Sequence, residues 1–228
     1  MKTDIDVVIP ALNAAHSLTR TLDSLAGGHD FRLAITVCDG GSRDGTATIA
    51  QQAGATVLRT EPGRGRQLAA GAMAGGAPWL LFLHADTTLS ADWAIAARRL
   101  MAAPPGEPRA GYFRLRFDSA DPRARRIERL VTWRCRAFGL PYGDQGLLIE
   151  RAFYCHVGGF RALPLMEDVD LARRIGRHQL VALDAEATTS AERYERDGWL
   201  ARPMRNLGCL ALYFAGVSPH SIRRLYDS

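Results

Sequence analysis

The sequence predicts an α/β fold with a mixed, mostly parallel sheet flanked by helices, on three observations. Short apolar runs over residues 5–9 (IDVVI), 33–37 (LAITV), 56–59 (TVLR) and 79–83 (WLLFL) have strand length, and the first and last read as strands buried on both faces. Helix-spaced segments over 14–25, 46–53 and 67–74 separate these runs, and such alternation implies parallel neighbours. Later, 111–117 (GYFRLRF) alternates polar and apolar residues, the pattern of an antiparallel strand with one face in water.

In order along the chain, Pro10 ends the first strand and a turn over 10–13 leads into a helix closed by Gly27 and Gly28. The second strand runs into Cys38-Asp39-Gly40-Gly41-Ser42-Arg43-Asp44-Gly45-Thr46, where Ser42 or Asp44 caps the next helix. A glycine- and arginine-rich turn over 62–66 precedes the alanine-rich helix at 67–74. The fourth strand stops at His84-Ala85-Asp86, with Thr87 and Thr88 beyond it. The second half reads as a helix over 91–101, a loop over 104–108, the alternating strand, and an arginine-laden amphipathic helix over 122–138. Gly143-Asp144-Gln145-Gly146 then precedes an apolar run over 147–149. A loop ends at Met166-Glu167-Asp168-Val169-Asp170, the start of a helix continuing to 175. A short strand over 181–183, a polar stretch over 188–196 and an apolar helix over 199–216 complete the chain. No internal repeat or low-complexity linker divides it, so one domain over 1–228 is expected.

Hydrophobic residues at 47% and charged ones at 23% are ordinary for a globular enzyme. The formal charge of +5 comes from arginine, since Lys2 is the single lysine. Arginine's planar fork suits phosphate oxygens, so the balance fits a phosphate-bearing partner or an anionic membrane face. No aromatic-interleaved basic motif accompanies it, which counts against nucleic acid. Cys38, Cys135, Cys155 and Cys209 form no C-x-x-C, which argues against zinc or a disulfide framework and fits a reducing compartment. The first residues lack the apolar core of a signal peptide, and no run approaches the ~20 apolar residues of a membrane span. A cytoplasmic protein is expected, with any membrane contact peripheral.

Carboxylates recur where this fold binds ligands. In an open α/β sheet the ligand sits beyond the carboxyl ends of the strands, so Asp39 and Asp86 converge on one crevice, with glycines around Asp39 that let backbone approach a ligand. Each acid taken alone also reads as a helix cap. Competing motifs fail: position 68 is leucine where G-x-G-x-x-G needs glycine, Asp44 stands where a nucleophile elbow needs glycine, and there is no P-loop and no H-E-x-x-H.

Taken together, Val8-Ile9-Pro10-Ala11-Leu12-Asn13, the Asp39–Thr46 run, Leu83-His84-Ala85-Asp86-Thr87, Gly143-Asp144-Gln145-Gly146 and the Pro164-to-Asp170 stretch resemble a family 2 glycosyltransferase of the GT-A fold. The chain is similar in particular to small, soluble bacterial members in which H-A-D replaces D-x-D, and Thr188 to Glu195 extends that similarity.

The resemblance implies an inverting transfer of a sugar from a nucleotide-diphosphate sugar to an acceptor hydroxyl. It divides the chain into a nucleotide-binding half over 1–90, an acceptor-side half over 91–198 and a C-terminal helical segment over 199–228. It places Pro10, Asn13 and Asp39 around the base and ribose, and gives Asp86 a Mg²⁺ or Mn²⁺ that stabilises the leaving diphosphate. Asp168 becomes the general base, with Glu167 beside it. His84 departs from the general pattern and either ligates the metal or bonds the ribose. Arg64 and Arg66 neutralise diphosphate charge, and Asp144 and Gln145 face the acceptor or donor sugar. A UDP-sugar is slightly preferred over a GDP-sugar on family frequency.

The arginines at 123, 125, 126, 129, 134 and 136 are a solvated face or a docking surface for an anionic lipid or phosphorylated acceptor. Residues 207–217 are a peripheral membrane contact, core or a homodimer contact. Two alternatives stay open. One is a sugar-phosphate nucleotidylyltransferase, against which the Pro10-to-Asn13 turn counts; the other is a nucleotide-sugar binding scaffold without turnover.

Overall fold

A computed structural model of the chain describes residues 4–104 and 106–227. Pro105, in the expected 104–108 loop, lies outside the described residues, as do residues 1–3 and 228. Eight strands, β1 (Ile5–Ala11), β2 (Leu33–Asp39), β3 (Thr56–Arg59), β4 (Trp79–Phe82), β5 (Thr87–Leu89), β6 (Ala110–Phe117), β7 (Leu147–Glu150) and β8 (Leu180–Thr189), form one sheet in the order β3-β2-β1-β4-β7-β6-β8-β5. The first four are parallel, with Ile5 opposite both Leu33 and Trp79. β7 runs antiparallel to β4 and β6, while β6 and β8 are parallel. The sheet is therefore mixed, as expected, and a strict doubly wound parallel arrangement holds only for its first half.

Helices cover both faces. α1 (Ala15–Ser24), α2 (Thr46–Gln52) and α4 (Trp93–Met101) pack on one; α3 (Arg64–Ala74), α5 (Pro122–Phe138) and α7 (Glu167–Ile175) on the other. α6 (Arg151–His156), α8 (Glu192–Asp197), α9 (Ala201–Phe214) and α10 (Pro219–Asp227) complete the set. Side chains alternate faces along a strand, which is why β1 and β4 need continuous apolar sequence. Ile5, Val7 and Ile9 join the core with Leu18, Trp93 and Phe113, while Val8, Leu80 and Phe82 join that with Leu68, Ile127 and Leu171. A smaller cluster of Leu140, Val169, Ala172 and Leu210 fixes α9 to α7. Among the described residues no helix is long and apolar enough to cross a membrane. Within 207–217, Cys209 and Leu210 are buried and Leu207 and Phe214 are exposed.

Several boundaries differ from expectation for physical reasons. β1 continues through Pro10 to Ala11. Val8 O accepts from Leu83 N at 3.1 Å on the β4 side, and pairing with β4 ends at Val8. Pro10, two residues on, turns its missing N–H toward the side β4 has left, so no ladder bond is lost. α3 starts at Arg64, so Arg64 and Arg66 lie in its first turn rather than on a loop. Asp44, not Ser42, accepts the Thr46 N–H at 3.0 Å at the start of α2. β8 runs ten residues to Thr189, because Leu183, Ala185, Ala187 and Thr189 bury one face. β6 is more buried than its alternation implied, with Arg114 its single exposed residue.

Candidate active site

A cleft of ≈ 1230 Å³ opens at the carboxyl ends of β1 and β4 and is closed on the far side by the loop before α7 and by α8–α10. Usual small-molecule pockets measure roughly 300–1,000 Å³, so this one has room for two ligands side by side. Pro10, Asn13, Arg64, Arg66, His84, Asp86, Asp144, Glu167 and Asp168 all line it.

The first wall comes from strand ends. Asn13 holds a left-handed φ of 51°, which asparagine tolerates, and its Oδ1 accepts the Arg43 N–H at 2.9 Å. Asp39 is buried and accepts the Ser42 N–H at 3.0 Å, while the Ser42 Oγ accepts the Asn13 N–H at 2.9 Å. Asp39 therefore braces the loop behind the cleft rather than lining it. Gln67, which sequence reasoning passed over, spans the ends of β1 and β2 by donating to Ala11 O (2.9 Å) and Cys38 O (2.7 Å).

The second wall brings the carboxylates. Met166, at φ 65°, turns the chain so that Glu167 and Asp168 open α7. A helix N-terminus favours negative charge, and Asp168 accepts N–H bonds from Gly143 (2.8 Å) and Val169 (2.7 Å). Glu167 is 2% exposed and its Oε1 lies 3.3 Å from Arg64 Nη1 without hydrogen-bond alignment. Burial pushes the Glu167 carboxyl up, against the opposing pull of Arg64. Burial works against the Arg64 cation, but Glu167, Asp168 and Asp86 outweigh it and raise its pKa. Burial likewise lifts Asp144 to about 6, with Asp168 and Asp86 adding to the shift and Arg134 opposing it. Burial, then Arg64, pushes His84 down to about 4, so the imidazole is neutral at pH 7.

Gln145 is corrected by the structure. It is 1% exposed and turns inward, its Nε2 donating to Phe113 O at 3.2 Å and its Oε1 accepting from Arg134 Nη2 at 3.2 Å. It pins the 142–146 turn and does not line the cleft. The arginines of α5 do not line the cleft either. Arg123 pairs with Asp121, Arg125 with Glu128, and Arg134 stacks 3.5 Å from the Tyr142 ring centroid. The cations that do reach the cleft beyond Arg64 and Arg66 are Arg193, Arg196, Arg202, Arg205 and Arg223. They are spread over 193–223 in the sequence, without a local pattern that marks them as one group.

The profile of Glycosyl transferase family 2 matches residues 6–140, more than half of the chain. The chain belongs to this family. An uncharacterized glycosyltransferase of Mycobacterium tuberculosis (strain ATCC 25618 / H37Rv) is 34% identical over 88 residues, 38% of this chain and 38% of that protein. The match thus spans about two fifths of that relative's length. Among solved structures, the mannosyltransferase PcManGT from Pyrobaculum calidifontis, in complex with GDP-Man and Mn²⁺, superposes with a TM-score of 0.66 at 19% identity, covering 90% of this chain and 65% of that one. TarS 1-349 of S. aureus gives 0.64 at 15% identity, covering 84% and 62%. Glucosyl-3-phosphoglycerate synthase from Mycobacterium tuberculosis, in complex with Mn²⁺, UDP and glucosyl-3-phosphoglycerate, gives 0.57 at 18%, covering 82% and 70%. The fold is accordingly that of the GT-A glycosyltransferases.

Proposed function

We propose that this family 2 member transfers a glycosyl group from a nucleoside-diphosphate sugar to an acceptor hydroxyl with inversion. The observation that carries this reading is the convergence of Asp86 from a parallel strand end and Asp168 from a helix N-terminus on one cleft with room for two ligands. Pro10 and Asn13 border the base and ribose, with Asp39 bracing their loop, and Arg64 and Arg66 face the diphosphate. The acceptor oxygen bonds to the anomeric carbon as the carbon–diphosphate bond breaks, and Asp168 takes the hydroxyl proton. Gly143 and Val169 leave its carboxylate oriented for that task.

The residues present fit a divalent ion. His84 Nε2 and Asp144 Oδ1 are buried without a hydrogen-bond partner, and the imidazole is neutral as a ligand must be. Among the described residues no three His, Cys, Asp or Glu side chains are gathered as a complete metal cage. That suits an ion held by one or two protein donors plus substrate phosphates, with Asp86 and His84 as those donors. A bound Mg²⁺ or Mn²⁺ would supply positive charge against the leaving diphosphate.

UDP, GDP, CDP and dTDP, each with and without Mn²⁺, should be compared by thermal shift, UDP being the first expectation. A ligand at ~100 times its Kd adds roughly 2.7 kcal/mol to folded stability. One nucleotide is expected to stabilise the protein with Mn²⁺, and Asp86→Ala to abolish the metal dependence. Absence of stabilisation by all four would overturn the proposal.

A further inference from the structure

Charge is divided within the second wall of the cleft. Asp144, Glu167 and Asp168 stand on the 143–146 turn and at the start of α7, and the C-terminal helices carry Arg193, Arg196, Arg202, Arg205 and Arg223 against Glu192 and Asp197. Within that wall three guanidiniums converge on a single carboxylate. Arg196 Nε lies 2.8 Å, Arg202 Nη1 3.0 Å and Arg205 Nη2 2.8 Å from Asp197 oxygens. Three positive charges against one negative leave an excess of two.

Arg202 and Arg205 are held against Tyr226 rather than free to swing out. Arg202 is only 7% exposed, donates to the Tyr226 hydroxyl, and has its guanidinium 5.0 Å from that ring, with Arg205 at 5.3 Å from the same ring. The Arg205 Nε is buried without an acceptor. Fixed, partly buried positive charge with an unused donor is costly unless an anion completes it, and the guanidinium fork matches phosphate oxygens. The donor diphosphate has its own cations at Arg64 and Arg66 at the start of α3, beside Asp86.

We propose that Arg202 and Arg205, with Tyr226, form an acceptor subsite for a dianionic phosphate group, so that the acceptor is a phosphorylated molecule. Which substrate carries the phosphate rests on the glycosyl-transfer reading; that this wall binds a phosphate does not. Arg202 and Arg205 against Asp197 keep a net positive charge, and their two guanidinium forks suit phosphate oxygens better than a neutral sugar.

Glycerol 3-phosphate and glycerol should be titrated by calorimetry into the protein saturated with Mn²⁺ and the nucleotide it binds. Glycerol 3-phosphate is expected to bind and glycerol not. Arg205→Gln should weaken the phosphate ester at least about tenfold while leaving nucleotide affinity unchanged, since one charge-assisted bond is worth that factor. Arg205→Lys, which keeps the charge, should recover part of the loss. Arg202 is too buried to serve as the first variant. A second arm uses phosphatidylcholine vesicles with and without phosphatidic acid. Arg205-dependent binding to phosphatidic acid alone assigns the phosphate to a lipid, and binding to glycerol 3-phosphate alone assigns it to a soluble acceptor.

Equal binding by wild type and Arg205→Gln overturns the subsite, as does competition between glycerol 3-phosphate and the nucleotide. If no nucleotide binds, the glycosyl-transfer reading fails, and the same titration without nucleotide still decides the subsite.

Discussion

The two walls of the cleft reach the same space by different routes. Pro10, Asn13, His84 and Asp86 arrive beyond the ends of parallel strands and Arg64 and Arg66 in the first turn of α3, so the former follow from ladder hydrogen bonds and from Gln67 tying β1 to β2. Residues 142–226 arrive from a tight turn, a helix N-terminus and three C-terminal helices, and their positions follow from side-chain packing around Leu140, Val169 and Leu210. The walls nevertheless touch closely. A Cβ on Gly65 would lie 2.3 Å from Arg161 O, and one on Gly143 would lie 2.4 Å from His84 Nε2. The Arg64–Glu167 ion pair crosses the same seam. On the proposed reading the first wall holds the donor and the second brings the base, so the two can be perturbed separately.

The largest expected effect follows from that separation. Asp168→Asn removes the proposed proton acceptor from the second wall but keeps an oxygen for the Gly143 N–H, so the turn stays in place. Turnover should fall by about 10²–10⁴-fold, the usual worth of a positioned base, while nucleotide affinity stays within twofold of wild type. Steady-state kinetics beside calorimetric nucleotide binding reads both quantities. Loss of nucleotide affinity in step with turnover would mean that the walls are not independent.

The seam itself gives the next effect. Gly65→Ala pushes a methyl into the backbone at Arg161 and Leu163, which has no flexible end to yield. Overpacking of this kind costs about 1–3 kcal/mol. At roughly 2–4 °C per kcal/mol for a chain of this size, melting should fall by several degrees. Gly76→Ala is the matched control, since a Cβ there meets nothing within 4 Å, and its effect should stay within about 0.5 kcal/mol. Equal melting of the two variants would show that the walls can part without cost.

The same contrast explains what was legible in the sequence. β3 and α5 have the bounds read from the sequence, because strand length and helical periodicity are local signals. His84, Asp86 and Asp168, which line the cleft, stand out in the sequence because each follows a punctuated apolar run or opens a patterned helix. β5 and α8 escaped, being three and six residues long, with too little periodicity to stand out, whereas α10 is amphipathic enough over nine residues to be legible as a helix. Gln145 was misread because a polar turn does not reveal which way its side chain points. That direction is set by Arg134 on α5 and Phe113 O on β6, neither of them near it in sequence. The arginine wall was overlooked for a related reason: α5 carries the denser arginine run, but those residues pair locally, and only packing brings 193–223 to the cleft.

The smallest effect concerns the acidic cluster alone. Asp144 titrates at about 6 in the folded protein against 3.8 for the free side chain, because burial and two neighbouring carboxylates disfavour its charge. The folded state therefore keeps a proton that the unfolded chain releases between about pH 4 and 6. Its contribution works against folding as pH rises through that window and is absent below it. Asp144→Asn carries no such charge. With EDTA present, the variant should match wild type near pH 4 and exceed it above pH 6, by on the order of 1–3 kcal/mol at most. Chemical denaturation at the two pH values measures the difference. A variant less stable than wild type at pH 7 would mean that Arg134 outweighs burial and holds Asp144 charged. Asp144 would then be braced by its cation in the way Asp197 braces the C-terminal arginines, and the charge separation within the second wall would be smaller than its residues imply.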